Sequence, residues 1–177
     1  MRLPTQTFVS RTSPDPARMK PVRNAKQIHW KPEGGLWTST LDEEGGAWVG
    51  WVTSEYDLSD ERFGGEVWLL EPTNANIAVI DNPDDLRSFA GAHPHPLQSS
   101  LKDDIVIETF SHLLDWESLA ASYDAVHFPN PYPWRLTMDM ATSMFFNVLD
   151  VESTVWFRWC FTGEPRQYDL PVSEGRT

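Results

Sequence analysis

Cys160 is the only cysteine in 177 residues, so no disulfide can form within the chain. No apolar run approaches the ~20 residues that span a bilayer. The first residues lack an apolar h-region, so no signal peptide is expected. With a lone cysteine, this makes a reduced cytoplasmic location the expectation. Glycine-rich phosphate loops are missing, because Gly34-Gly35 and Gly64-Gly65 lack the Lys-Ser/Thr that would complete one. There is no Gly-x-Ser-x-Gly elbow, no His-Glu-x-x-His helix and no cysteine pair. His93-Pro-His95 comes nearest to a metal pair, but prolines on both sides of His95 make it a loop, and no metal site is expected. Basic residues are also few, 14 against 26 acids, for a net charge of −12. A body of that sign disfavours non-specific binding to nucleic-acid phosphates.

Aromatic residues are abundant, with nine Trp and nine Phe, enough to build one core and one domain over residues 1–177. The charge is uneven. Residues 1–32 carry Arg2, Arg11, Arg18, Lys20, Arg23, Lys26 and Lys31 against Asp15 alone. Such a segment can hold a phosphorylated small molecule, or simply pack against the acidic remainder. Pro4, Pro14, Pro16, Pro21 and Pro32 keep it extended. It is expected to contribute a first strand, Thr5–Ser10, ending at Arg11-Thr-Ser13, and a second extended piece at Gln27–Trp30.

After the Gly34-Gly35 turn, Leu36–Thr40 reads as a strand. Ala47–Val52 fits a short helix or a strand, whereas Glu66–Glu71 and Asn76–Asp81 read as strands. Asn82-Pro-Asp-Asp-Leu86 is a helix start: a polar cap, proline in the first turn, then two acids at the positive end of the helix dipole. Ile105–Thr109 is ambiguous. Asp115 caps a helix over Trp116–Ser122, and Tyr123–Phe128 follows as a strand. Leu136–Asn147 fits a helix with Leu136, Met140 and Met144 on one core-filling face. Val155–Phe161, with Cys160 as a buried small hydrophobe, and Gln167–Val172 close the chain as strands. Strands dominate and no regular βαβ alternation occurs, which argues for an α+β domain with a mainly antiparallel or mixed sheet.

Asp150-Val-Glu152 sits at the mouth of a strand-forming run. Residues two apart on a strand point the same way, so the two carboxylates project from one side of a sheet margin.

Read in order, the strand ending at Arg11-Thr-Ser13, the strand Leu36-Trp-Thr-Ser-Thr40, a helix leading into Tyr123-Asp-Ala-Val126, and the strand opening at Asp150-Val-Glu152 resemble the ADP-ribosyltransferase superfamily. The likeness covers roughly residues 8–160, through short motifs. It implies an ADP-ribosyltransferase-like fold of two packed, mainly antiparallel or mixed β-sheets with a few short helices, and NAD as co-substrate. It departs from the family pattern in three ways: Asp150 stands where Glu or Gln is preferred, the separation of Arg11 and Ser39 is short, and Ser39-Thr40 lacks the third member of Ser-Thr-Ser, for which Thr38 can substitute. The first triad position falls to Arg11 in the arginine branch or to His29 in the histidine branch.

Under the resemblance, Glu152 stabilises the oxocarbenium charge that grows on the ribose as the nicotinamide bond breaks, and Asp150 positions or deprotonates the attacking group. Arg11 or His29 binds the adenosine side, Ser39 or Thr40 orients the nicotinamide side, and Trp37 or Trp48 stacks on its ring. The expected function is transfer of ADP-ribose from NAD to a macromolecular acceptor, protein or nucleic acid, of the kind seen in bacterial toxins and phage-encoded modifiers. The alternative from a different class is a non-enzymatic acidic protein that blocks a basic partner. A carbohydrate-binding module is disfavoured because most tryptophans, such as Trp68 and Trp156, sit inside apolar runs.

Overall fold

Runs of β-branched and aromatic residues broken by glycine and proline divide this chain into short strands and short helices. The computed structural model describes residues 1–26, 29–56, 58–62, 64–101, 104–137, 139–149 and 151–170. The strands are β1 (Gln6–Ser10), β2 (Leu36–Thr40), β3 (Glu66–Pro72), β4 (Ile77–Val79), β5 (Ala125–Phe128), β6 (Ser153–Trp156) and β7 (Phe161–Tyr168). The helices are α1 (Ala47–Glu55), α2 (Pro83–Ala92), α3 (Asp104–Thr109), α4 (Trp116–Ser122) and α5 (Met140–Asn147). The protein is α+β, as its composition of elements led us to expect.

The expectation of two packed sheets is corrected. Among the described residues, all seven strands form one mixed sheet in the order β4-β5-β6-β2-β1-β3-β7. β4 and β5 are parallel and the other neighbours antiparallel. The sheet is narrow at its middle. β1 and β2 pair only through Gln6↔Thr40 and Thr7↔Ser39, and a bond from Leu41 N–H to the Thr5 carbonyl extends that join. Beyond it, Phe8–Ser10 stay with β3 and Leu36–Thr38 stay with β6, so the two central strands part like a fork.

Alternation along the strands gives the sheet two faces. Val126, Phe128 and Val155 point to one, where Leu86, Ala90, Trp116, Leu119, Phe145 and Phe146 from α2, α4 and α5 cover them in the larger core. Each fully buried Leu or Phe there contributes about 1.5–3 kcal/mol. Ala125, Trp156 and Leu70 point to the other face and pack with Leu3, Ala75 and Phe161 in a smaller core.

The helix caps follow the sequence. The Asn82 side chain accepts from the N–H groups of Asp84 and Asp85, and Asp115 accepts from those of Glu117 and Ser118. α5 differs from expectation. It begins at Met140, not Leu136, because Asp139 caps it by accepting from Thr142 N–H. Leu136 and Met140 are therefore 90% and 62% exposed, and of the three residues assigned to a core face only Met144 packs against the core.

The expected strand Val155–Phe161 is broken too. β6 ends at Trp156, and Arg158 then donates to the carbonyls of Ala120 and Tyr123 before β7 begins. Cys160 lies in this turn, half-buried, and burial pushes its thiol pKa up. Ala47–Val52 belongs to a helix, and Ile105–Thr109 lies within α3. Of the proposed extended piece Gln27–Trp30, Gln27 and Ile28 lie outside the described residues, and Trp30 is buried in a bend.

Candidate functional site

At the joined end of the fork a polar chain runs through the sheet. The Glu152 carboxylate accepts from the Thr40 N–H at 2.8 Å and from the Thr40 hydroxyl at 3.1 Å. The Thr40 hydroxyl accepts in turn from the Gln6 amide at 3.2 Å. The Gln6 carbonyl oxygen accepts from the Thr38 hydroxyl at 2.7 Å, which itself accepts from the Trp156 indole N–H at 2.9 Å. Each hydroxyl donates once and accepts once, so the chain has a consistent direction from indole to carboxylate. Gln6 is fully buried, and a side chain of that polarity persists in a core only when its amide is matched in this way.

His127 on β5 joins the same cluster. Its Nδ1 lies 2.8 Å from the Thr154 hydroxyl and 3.5 Å from Glu152 Oε1. Burial dominates both ionisable groups. It lowers the His127 pKa, against the raising influence of Asp81, and it raises that of Glu152, against the two bonds from Thr40. His127 is therefore neutral at neutral pH, and the 3.5 Å approach is a dipolar contact there, not a charged pair. The Glu152 side chain is 17% exposed, so it keeps some access to solvent.

The other face of the same strands bounds a cavity. Trp37 and Ser153, each one residue from a member of the polar chain, point the opposite way. With Lys31, Thr38 and Trp48 they line a cavity of about 220 Å³. The Lys31 ammonium sits 5.5 Å from the centroid of the Trp37 ring, in range for cation–π attraction. Trp48 stacks on Trp51 with centroids 4.8 Å apart and ring planes 24° from parallel, and Trp51 meets Tyr56 edge-on at 5.4 Å. The start of α1 places Trp48. Its N–H, left over at the helix end, donates to the Ser39 hydroxyl, and Gly46 precedes it at φ 102°, where a Cβ would lie 2.5 Å from the Thr7 hydroxyl.

The candidates named from sequence are distributed as follows. Thr40 and Glu152 are in direct contact. Trp37 and Trp48 share the cavity. Ser39 is fully buried and bonded to Thr7 and to the start of α1, which makes it part of the scaffold. Arg11 is not brought to Glu152. It lies five residues along β1 from Gln6, about 17 Å at the strand rise, and its guanidinium donates to the carbonyls of Ser59 and Asp60. His29 is exposed in the loop before Lys31, with Nδ1 3.1 Å from the Lys31 N–H that donates to it. Asp150 lies outside the described residues.

Sequence reasoning gave no site role to Gln6, His127, Thr154 and Ser153, and it named Thr38 only as a substitute in the Ser-Thr-Ser pattern and Lys31 only as part of the basic segment. The available signal was a histidine at an inward position of Ala125–Phe128; Gln6 shares its strand with the polar Thr7 and Ser10, so its polarity did not mark it out. Among the described residues no group of three His, Cys, Asp or Glu is placed to hold a metal ion, and no helix is long and apolar enough to cross a membrane. No family model matches the chain, and no curated protein or solved structure matches it either.

Proposed function

We propose that this chain is an ADP-ribosyltransferase-like domain that uses NAD, with the nicotinamide ring seated between Trp37 and Trp48. The observation that carries the reading is their shared cavity of about 220 Å³, with Ser153 at its wall. A flat, electron-poor ring gains from indole faces on either side. The order of elements agrees with it: the strands bearing the four motifs of the resemblance, β1, β2, β5 and β6, all lie in the central run of the sheet. In this reading the mixed sheet and its short helices form an ADP-ribosyltransferase-like fold.

The residue roles are revised. Beside Thr40 on β1 stands Gln6, an amide in place of the expected cation, so neither Arg11 nor His29 is given the first position. Glu152 grips Thr40 on the face away from the cavity. Its role in this reading is to hold β2 against β6 where Trp37 and Ser153 meet the ring.

The test is incubation with NAD labelled on the adenylate, together with candidate protein and nucleic-acid acceptors, following both transferred label and released nicotinamide. Label transfer that Trp48→Ala abolishes and Glu152→Gln reduces is the expected result. Absence of both NAD binding and transfer would leave the acidic-blocker reading, which the net charge of −12 favours. In that case Glu152→Gln, one charge among many, changes nothing.

A further inference from the structure

The fork between β1 and β2 opens a second groove, on the face opposite the Trp37–Trp48 cavity. Phe8 and Leu36, on diverging strands, form its floor with Met19 and Trp159. The segment that roofs it is pinned by the Gly35 N–H donating to the Lys20 carbonyl at 2.9 Å. Gly34 allows this crossing, at φ 79° and so close to Pro21 that a Cβ would lie 2.3 Å from its carbonyl oxygen. The inner part of the groove holds about 230 Å³ and leads into an outer hollow of about 530 Å³ past Thr12–Arg18 and Trp159.

Its inner rim sets Arg18 and Lys20 against Asp15, a net positive edge in a chain that is strongly negative, and Glu164 lies farther out on the outer hollow. Arg18 and Lys20 both line the inner part. The Arg18 side chain is 70% exposed, and its two contacts are long: 3.9 Å to Asp15 and 3.4 Å to the Thr12 hydroxyl. The Lys20 ammonium has no acceptor among the described residues, and the residue is exposed. Half-buried apolar side chains along the groove, beside two weakly engaged cations and one carboxylate, suit a molecule with a flat ring at one end and an anion at the other.

We propose that this groove binds a ring-bearing organic phosphate of mononucleotide size. The ring lies on Phe8, Leu36 and Trp159, and the phosphate is held by Arg18, which can meet two of its oxygens at once, and by Lys20. The groove is separate from the NAD cavity, so this inference stands apart from the reading above.

The experiment is titration of the ¹⁵N-labelled protein with adenosine monophosphate, followed by the indole N–H signals, with Trp159 identified through Trp159→Phe. The Trp159 signal moves on titration while those of Trp37 and Trp48 stay in place. The double variant Arg18→Gln/Lys20→Gln, changed only at exposed positions, binds at least about tenfold more weakly, and so does adenosine lacking the phosphate. The proposal is overturned if millimolar adenosine monophosphate leaves Trp159 unmoved, if the double variant binds as well as the wild type, or if adenosine alone binds equally well.

Discussion

Replacing Gln6 tests whether the polar chain at the narrow join holds the two halves of the sheet together. Gln6→Ala removes an acceptor from the Thr38 hydroxyl and donors from Thr40 and from the Pro4 carbonyl. Pro4 is exposed, so water replaces that bond at little cost. Thr38 is only 3% exposed, and a buried group left unpaired costs about 1–3 kcal/mol. The lost side-chain volume, roughly 60 Å³, adds about 1–2 kcal/mol if the void does not collapse, at ~24 cal/mol per Å³. The sum is about 2–5 kcal/mol, which corresponds to a fall in Tm of roughly 4–20 °C for a chain of this length.

Urea denaturation with an unchanged slope reads it directly. Gln6→Leu separates the two contributions: it restores most of the volume but none of the bonds, and should recover only the void part. If Gln6→Leu matches the wild type, the hydrogen bonds add nothing to stability and the reasoning about the join is refuted.

Two further outcomes follow from the same structure. Burial lowers the pKa of His95, His112 and His127, so the unfolded chain binds protons first and stability falls as pH drops below the ordinary histidine value. Glu152 has the opposite sign: its raised pKa gives a contribution that is full below the ordinary carboxyl value and is lost as pH rises through the folded one. Urea midpoints measured between about pH 7.5 and about pH 5 should therefore decline, less steeply in His127→Gln and more steeply in Glu152→Gln. A separate variant, Asp115→Ala, removes the acceptor for two N–H groups of α4 and for the Asn24 amide, and should cost about 1–2 kcal/mol in thermal or urea melts, with Asp115→Asn recovering most of it.

Local chemistry was readable in the sequence wherever one short segment decides the outcome. Asn82-Pro83-Asp84-Asp85 specifies a helix start by itself, and the strand-favouring residues of Leu36–Thr40 and Ile77–Val79 specify strands. What fails is anything decided at long range. Residues 136–147 carry a helical spacing, yet Asp139 caps the helix three residues inside that stretch, and the spacing before it has no core to meet. Whether strands form one sheet or two depends on the register Gln6↔Thr40 between segments more than thirty residues apart, which no local pattern records. The site shows the same division. The contact of Thr40 with Glu152 and the shared cavity of Trp37 and Trp48 join residues already singled out for their chemistry. Gln6 and His127 had no motif to mark them, and their roles come only from the strands beside them.

The stack of Trp48 on Trp51 has a spectroscopic consequence. Two indoles stacked 4.8 Å apart with planes 24° from parallel interact through their transition dipoles, and each then absorbs polarised light as part of a pair. Because Trp48 also walls the cavity, any flat guest slipping in beside it must disturb that coupling. The circular dichroism of the unmodified protein in the aromatic absorption bands thus carries its own occupancy signal, free of any attached dye.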